Sequence, residues 1–251
     1  MTIRQLKGTT AVVTGASRGF GRAISVSLVA RGAHVVGVAR DQGPLDQLRE
    51  ELGGSFTPEI ADVADPAVAT QLITACRPQI VVLNAGAIPP VGSLREQSWE
   101  TFSTNWNVDV RQVFNFTQEI LAASLDPGSV VVGMSSGAAL AGSPLSGGYA
   151  GAKATIKLIS SYARLEAQHL GAQIRFVSVL PQLTPATGLG KLYTERYAAM
   201  AGMSEAKFLE GRFGGTLGCE QVGERITDLV VDDSYSDPAY LLGTAGLQSI
   251  E

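Results

Sequence analysis

The sequence predicts an α/β protein: a Rossmann-like, doubly wound, mostly parallel sheet of seven strands with helices on both faces. Three observations lead there. Short β-branched runs such as Thr10–Thr14 and Ala33–Ala39 alternate with longer stretches of helical period, as parallel strands joined by crossover helices do. A glycine-rich turn, Gly15 to Gly21, separates the first strand from the first helix. The 251 residues carry no internal repeat, charge block or linker, which fits one large domain over residues 1–251.

The elements follow in order. Thr10–Thr14 reads as the first strand and Gly19–Arg31 as a helix that turns Ile24, Leu28 and Val29 inward. Ala33–Ala39 is a second strand, followed by a helix at Pro44–Leu52 and a third strand at Ser55–Ile60. A helix over Pro66–Cys76 leads to a fourth strand, Ile80–Leu83. Ser98–Ser124 is expected to be one long helix carrying Trp99, Phe102, Trp106, Phe114 and Phe116. Ser129–Met134 is the fifth strand, Gly147–Leu170 a long helix and Gln173–Leu180 the sixth strand. Beyond Pro181 regularity lapses, and Leu183–Gly215 is expected to form an irregular lid. A helix at Glu220–Val231 and a last strand at Tyr240–Ala245 close the pattern.

Composition excludes several classes. Hydrophobic residues make up 45% and charged residues 17%, enough for a core and unlike a disordered chain. A net charge of −4 argues against a nucleic-acid surface. No run approaches the roughly 18 apolar residues of a membrane span, and Met1–Lys7 shows no apolar stretch of signal-peptide length. Cys76 and Cys219 form no C-x-x-C pair and read as thiols of a reducing compartment, so a cytoplasmic location is expected. His34 and His169 have no metal-ligand spacing, so no metal is expected.

Chemistry concentrates at strand ends. Thr14-Gly15-Ala16-Ser17-Arg18-Gly19-Phe20-Gly21 lets the backbone turn tightly and aim its N–H groups at a pyrophosphate, aided by the helix N-terminus. The second strand ends Val38-Ala39-Arg40-Asp41. Ala39 stands where an acid would hold the ribose 2′-OH of NAD(H), while Arg40 and Arg18 suit a 2′-phosphate, so NADP(H) is preferred over NAD(H). A register slip of one would instead put Asp41 at the ribose. Tyr149 and Lys153 lie four residues apart, on one helical face, where an ammonium favours the phenolate and suits the phenol to proton transfer. Ser136, at the end of the fifth strand, can hydrogen-bond a reacting oxygen.

These residues, with Asp62-Val63, Asn84-Ala85-Gly86, Asn107-Val108 and Ser135-Ser136 in the same order, make the chain resemble a classical short-chain dehydrogenase/reductase from Thr9 to about Gly246. The resemblance implies a catalytic set of Asn107, Ser136, Tyr149 and Lys153, with Asn107 anchoring a water in a proton relay. It implies a cofactor cleft of Gly15, Ser17, Arg18, Gly19, Phe20, Gly21, Arg40, Asp62, Val63, Asn84, Ala85, Gly86, Tyr149, Lys153, Pro181, Leu183 and Thr184. Asp62 and Val63 would meet the adenine, and a homo-oligomer, dimer or tetramer, would be usual. The sequence departs from the family pattern in two places. Gln182 follows Pro181 where glycine is usual, and Tyr240–Gln248 lacks the common Asp-Gly-Gly ending. Thr184 and Thr187 compete for one threonine position.

The expected function is NADP(H)-dependent hydride transfer to a carbonyl, or from a secondary alcohol, of a small molecule. Substrate would be recognised by 137–148 and 183–215, whose Leu, Met and aromatic residues suit a medium-sized, partly apolar compound. Two other classes stand beside it: a catalytically idle NADP-binding regulator or scaffold of the same fold, and an epimerase or dehydratase. Retention of the Ser, Tyr and Lys weighs against the first, and the glycine spacing against the second.

Overall fold

A computed structural model describes residues 4–146 and 148–250. The chain runs β1 (Thr10–Thr14), α1 (Gly19–Ala30), β2 (His34–Ala39), α2 (Gln42–Leu52), β3 (Phe56–Ile60), α3 (Pro66–Cys76) and β4 (Ile80–Leu83). It continues through α4 (Trp99–Phe102), α5 (Arg111–Ala123), β5 (Ser129–Met134), α6 (Ala138–Ala141), α7 (Tyr149–His169) and β6 (Ile174–Pro181). The last part is α8 (Gly188–Met200), α9 (Glu205–Phe213), α10 (Cys219–Val231), β7 (Ala239–Gly243) and β8 (Gly246–Ser249). The expected start of the long helix at Gly147 lies outside the described residues.

Alternation along the strands builds both faces of the sheet. Ala11 and Val13 point into one core with α1, α2 and α10, while Val12 points into the other with α3, α5 and α7. Ile80 and Val82 against Val81, and Val130 and Val132 against Val131, divide the same way. Strands buried on both faces must be apolar throughout, which is why β4 is Ile-Val-Val-Leu. The strand order is β3-β2-β1-β4-β5-β6-β7-β8. Winding reverses between β1 and β4, so the loops after those strands diverge and open a crevice at their carboxyl ends.

The sheet has eight strands, one more than expected. Beyond Gly243 the chain turns at Thr244-Ala245, and β8 pairs antiparallel with β7. The expected strand Tyr240–Ala245 ran through the turn and β8 was not expected, because the turn carries neither Asn-Gly nor Asp-Gly. The expected single helix at Ser98–Ser124 is also broken. Ser98 caps the short α4, and a π-turn at Trp106–Val110 precedes α5. The break fits α7 closely: a Cβ on Gly148 would lie 2.1 Å from the Phe102 carbonyl oxygen. The 183–215 stretch is not irregular. It holds α8 and α9, whose first turns are capped by Thr187 and Ser204.

Candidate active site

A cavity of about 780 Å³ runs along the carboxyl ends of β1, β2, β4, β5 and β6. Gly15 has φ +68° and Gly19 φ +55°, values that suit glycine. A Cβ on Gly21 would lie 2.2 Å from the Gly15 carbonyl oxygen, so the turn closes only with hydrogen there. This open cradle at the start of α1 fits a dinucleotide pyrophosphate. Thr14 anchors it. Its hydroxyl receives the backbone N–H of Asn84 (2.9 Å) and Ala85 (3.0 Å) and donates to Gln112 Oε1 (2.9 Å). The Asn84 amide donates to the Thr14 carbonyl at 3.0 Å, and Gln112 donates to the Ala85 carbonyl. The ends of β1 and β4 are thereby locked together.

Ser17, Arg18, Gly19 and Phe20 line the cavity at its β1 end, and Ala39, Arg40 and Asp41 line it at β2. Arg18 and Arg40 are exposed and in no ion pair among the described residues. Asp62 and Val63 line the next wall, where Asp62 also accepts the Ala64 N–H at 3.0 Å and shapes its own turn. Asn84, Ala85, Gly86, Pro181, Leu183 and Thr184 complete the cleft. The Thr184 hydroxyl is committed to the Leu217 carbonyl inside the fold. Thr187 is the threonine that packs across the glycine turn, its methyl 3.5 Å from where a Cβ on Gly19 would stand.

Ser136, Tyr149 and Lys153 line the same cavity. Ser136 Oγ accepts the Ala138 N–H at 3.2 Å and lies at the mouth of β5, while Ser135 Oγ donates to the Lys153 carbonyl at 2.7 Å. The Ser-Ser pair thus has one buried anchor, Ser135, and one hydroxyl facing the cavity, Ser136. Lys153 Nζ lies 5.6 Å from the Tyr149 ring centroid, donates to the Met134 carbonyl at 3.1 Å and meets Asp109 Oδ2 at 3.1 Å. Burial pulls the ammonium toward neutrality. The Asp109 carboxylate, with Tyr149, more than offsets that and holds Lys153 above the ordinary lysine range.

Asn107 is not at this centre. Its amide donates to Ser103 Oγ at 3.3 Å on an exposed turn, and the side chain that reaches Lys153 is Asp109, two residues on. The π-turn makes the difference, because its wider winding rotates Asp109 inward. Asp109 is 1% exposed and packs on Gly86, where a Cβ would come within 2.8 Å of Oδ2. Its Oδ1 accepts from Ala87 N (2.8 Å) and Asn105 Nδ2 (3.2 Å). The sequence signal was faint: one acid inside Val108-Asp109-Val110, four residues after Asn105 and so on its helical face. Gln112, buried against Thr14, was also missed. Among the described residues there is no cluster of metal-ligating side chains and no helix long and apolar enough to cross a membrane.

This constellation places the glycine turn and the Ser136, Tyr149 and Lys153 side chains on the wall of one cavity. Comparison with known proteins agrees with it. The short chain dehydrogenase profile matches residues 9–197. An uncharacterized short-chain type dehydrogenase/reductase of Sinorhizobium fredii is 30% identical over 199 residues, 78% of this chain and 75% of that protein. The L-xylulose reductase of Mesocricetus auratus is 35% identical over 129 residues, about half of each chain (50% and 52%). The NADPH-dependent pterin aldehyde reductase of Arabidopsis thaliana is 31% identical over 159 residues, 60% of this chain and 66% of that one. The chain is therefore an oxidoreductase of the short-chain dehydrogenase/reductase family.

Proposed function

We propose that the protein is an NADP(H)-dependent oxidoreductase that interconverts a carbonyl and a secondary alcohol on a small molecule. The observation that carries this reading is the placement of Ser136, Tyr149 and Lys153 on the wall of the cavity that also holds the glycine turn. Arg18 and Arg40, exposed cations on the cavity wall that also carries Ala39, support the 2′-phosphate, and the NADPH named for the Arabidopsis relative accords with it.

The bound dinucleotide supplies or accepts the hydride. Gly15, Ser17, Gly19, Phe20 and Gly21 would hold its pyrophosphate, Asp62 and Val63 its adenine, and Asn84–Gly86 with Pro181, Leu183 and Thr184 its nicotinamide end. In reduction, Ser136 donates a hydrogen bond to the substrate oxygen and fixes its position. Tyr149 delivers the phenolic proton to that oxygen; in oxidation it takes the proton back. Lys153 stays charged between Tyr149 and Asp109 and steadies the phenol, and it would contact the nicotinamide ribose of a bound dinucleotide. Asp109, in place of Asn107, orients the lysine.

The test is cofactor oxidation with NADPH and NADH against a panel of aldehydes and ketones. Reduction with NADPH favoured is the expected result, and binding of NADPH without turnover of any carbonyl or alcohol would sink it. A homo-oligomer and a cytoplasmic location remain part of the proposal. Phe114 on α5 and Leu158, Tyr162 and Leu165 on α7 expose apolar surface for a second copy, and sedimentation velocity reads the assembly.

A further inference from the structure

The cavity has two electrostatically different ends. Three acids line it in all: Asp41 and Asp62 beyond β2 and β3, and Asp109 against Lys153. The other end, under α8 and α9, has no acid among its lining residues and one cation, Arg212. Along that end four rings form a continuous wall. Tyr193 and Tyr197 have centroids 6.0 Å apart, Tyr197 and Phe208 6.3 Å, and Phe208 and Phe213 6.2 Å. Both tyrosine hydroxyls are engaged, Tyr193 with the Pro89 carbonyl and Tyr197 with Ser143. Arg212 ends the wall, its guanidinium carbon 5.8 Å from the Phe213 ring centroid. A guanidinium stacked on a ring keeps its N–H edges free for a carboxylate.

A second donor lines the same cavity, Gln182. Gln182 Nε2 is buried and has no hydrogen-bond partner. The Gln182 side chain packs against Gly243, where a Cβ would come within 2.8 Å of Oε1. The next residue, Thr244, donates to the Phe213 carbonyl at 3.3 Å. Gly243 and Thr244 thus link the Gln182 side chain to Phe213, the residue on which Arg212 stacks. A buried donor without an acceptor is costly, and a ligand oxygen arriving there removes the cost.

We propose that this corner is a carboxylate subsite: the substrates are carbonyl or alcohol compounds with a flat, apolar body and a carboxylate end held by Arg212 and Gln182. This rests on the oxidoreductase reading above and names its substrate class. The probes are 4-formylbenzoate and 4-formylcinnamate, each against its methyl ester, with NADPH as reductant. At least one acid should exceed its ester about tenfold in kcat/KM. Arg212→Ala should collapse that ratio toward one through KM, Gln182→Leu should reduce it, and Arg212→Lys should retain only part of it. A fold defect would lower acid and ester alike.

Binding of the unreactive 4-methylcinnamate to the NADP+-loaded protein, read by calorimetry, gives a measure independent of turnover. The acid should bind at least tenfold tighter than its methyl ester, and Arg212→Ala should erase the difference. Turnover of the aldehydes with no acid preference in either assay overturns the subsite and leaves the oxidoreductase reading standing. Acid-selective binding without turnover of any carbonyl supports the subsite and overturns that reading.

Discussion

The Lys153 ammonium lies 3.1 Å from the Asp109 carboxylate, and both side chains are buried, 7% and 1% exposed. The charge beside Tyr149 is therefore a compensated one. Removing one partner of such a pair strands the other, so Lys153→Met should cost about 3–5 kcal/mol by urea unfolding at neutral pH. The pH dependence has a definite sign. Lys153 is raised above its unfolded value, so its stabilisation is complete below about pH 10.4 and is lost as pH climbs through the folded value. The gap between parent and Lys153→Met should narrow above about pH 10.4, where the parent loses its ammonium. A gap that widens at alkaline pH would contradict the pairing.

Asp109 and Asn107 make a sharp comparison. Asp109→Asn keeps the side-chain shape and the acceptor for Ala87 and Asn105 but removes the negative charge next to Lys153. We predict a turnover loss of about tenfold or more, with the alkaline rise of alcohol oxidation moved to higher pH, because without the carboxylate burial draws Lys153 toward neutrality and the phenol loses the cation that favours its ionisation. A merely structural role would leave the pH profile in place. Asn107→Ala should stay within about threefold of the parent, since its amide bonds Ser103. A large loss in Asn107→Ala with a normal Asp109→Asn would reverse the assignment.

The proposed preference for NADP(H) rests on the end of β2. Losing a charge-assisted contact to the 2′-phosphate should cost on the order of 1.5–3 kcal/mol. Ala39→Asp combined with Arg40→Leu also adds repulsion against that phosphate and an acceptor for a free 2′-OH. The double variant should shift preference from NADPH to NADH without loss of thermal stability. Dissociation constants for both cofactors check this, and tighter NADH binding by the parent would make Asp41 the residue that reads the ribose.

Much of this was legible in the sequence, for physical reasons. The runs Ile80–Leu83 and Ser129–Met134 are bounded by turn residues and buried on both faces, so their limits agree with the structure. Pro66 after Asp65 marks the start of α3, whose cap is the Asp65 side chain. The glycine turn announces itself because only glycine fits there. What stayed hidden depends on winding and on distant partners. Nothing local in Trp99–Val110 specifies a π-turn, so Asp109 was not singled out as the residue that meets Lys153. The aromatic helices α8 and α9 form against the cavity and against each other, and their sparse apolar period looked like an irregular lid. β8 exists only as the partner of β7.

The most direct measurement is single turnover of a carbonyl substrate by Tyr149→Phe with NADPH bound. Phe keeps the ring that packs beside Lys153 and removes the one proton the account needs. We predict a hydride-transfer step slowed by about 100-fold or more, with the NADPH dissociation constant within about threefold of the parent. A variant that turns over at the parent rate with unchanged cofactor affinity would contradict the account, because the proton would then come from another group.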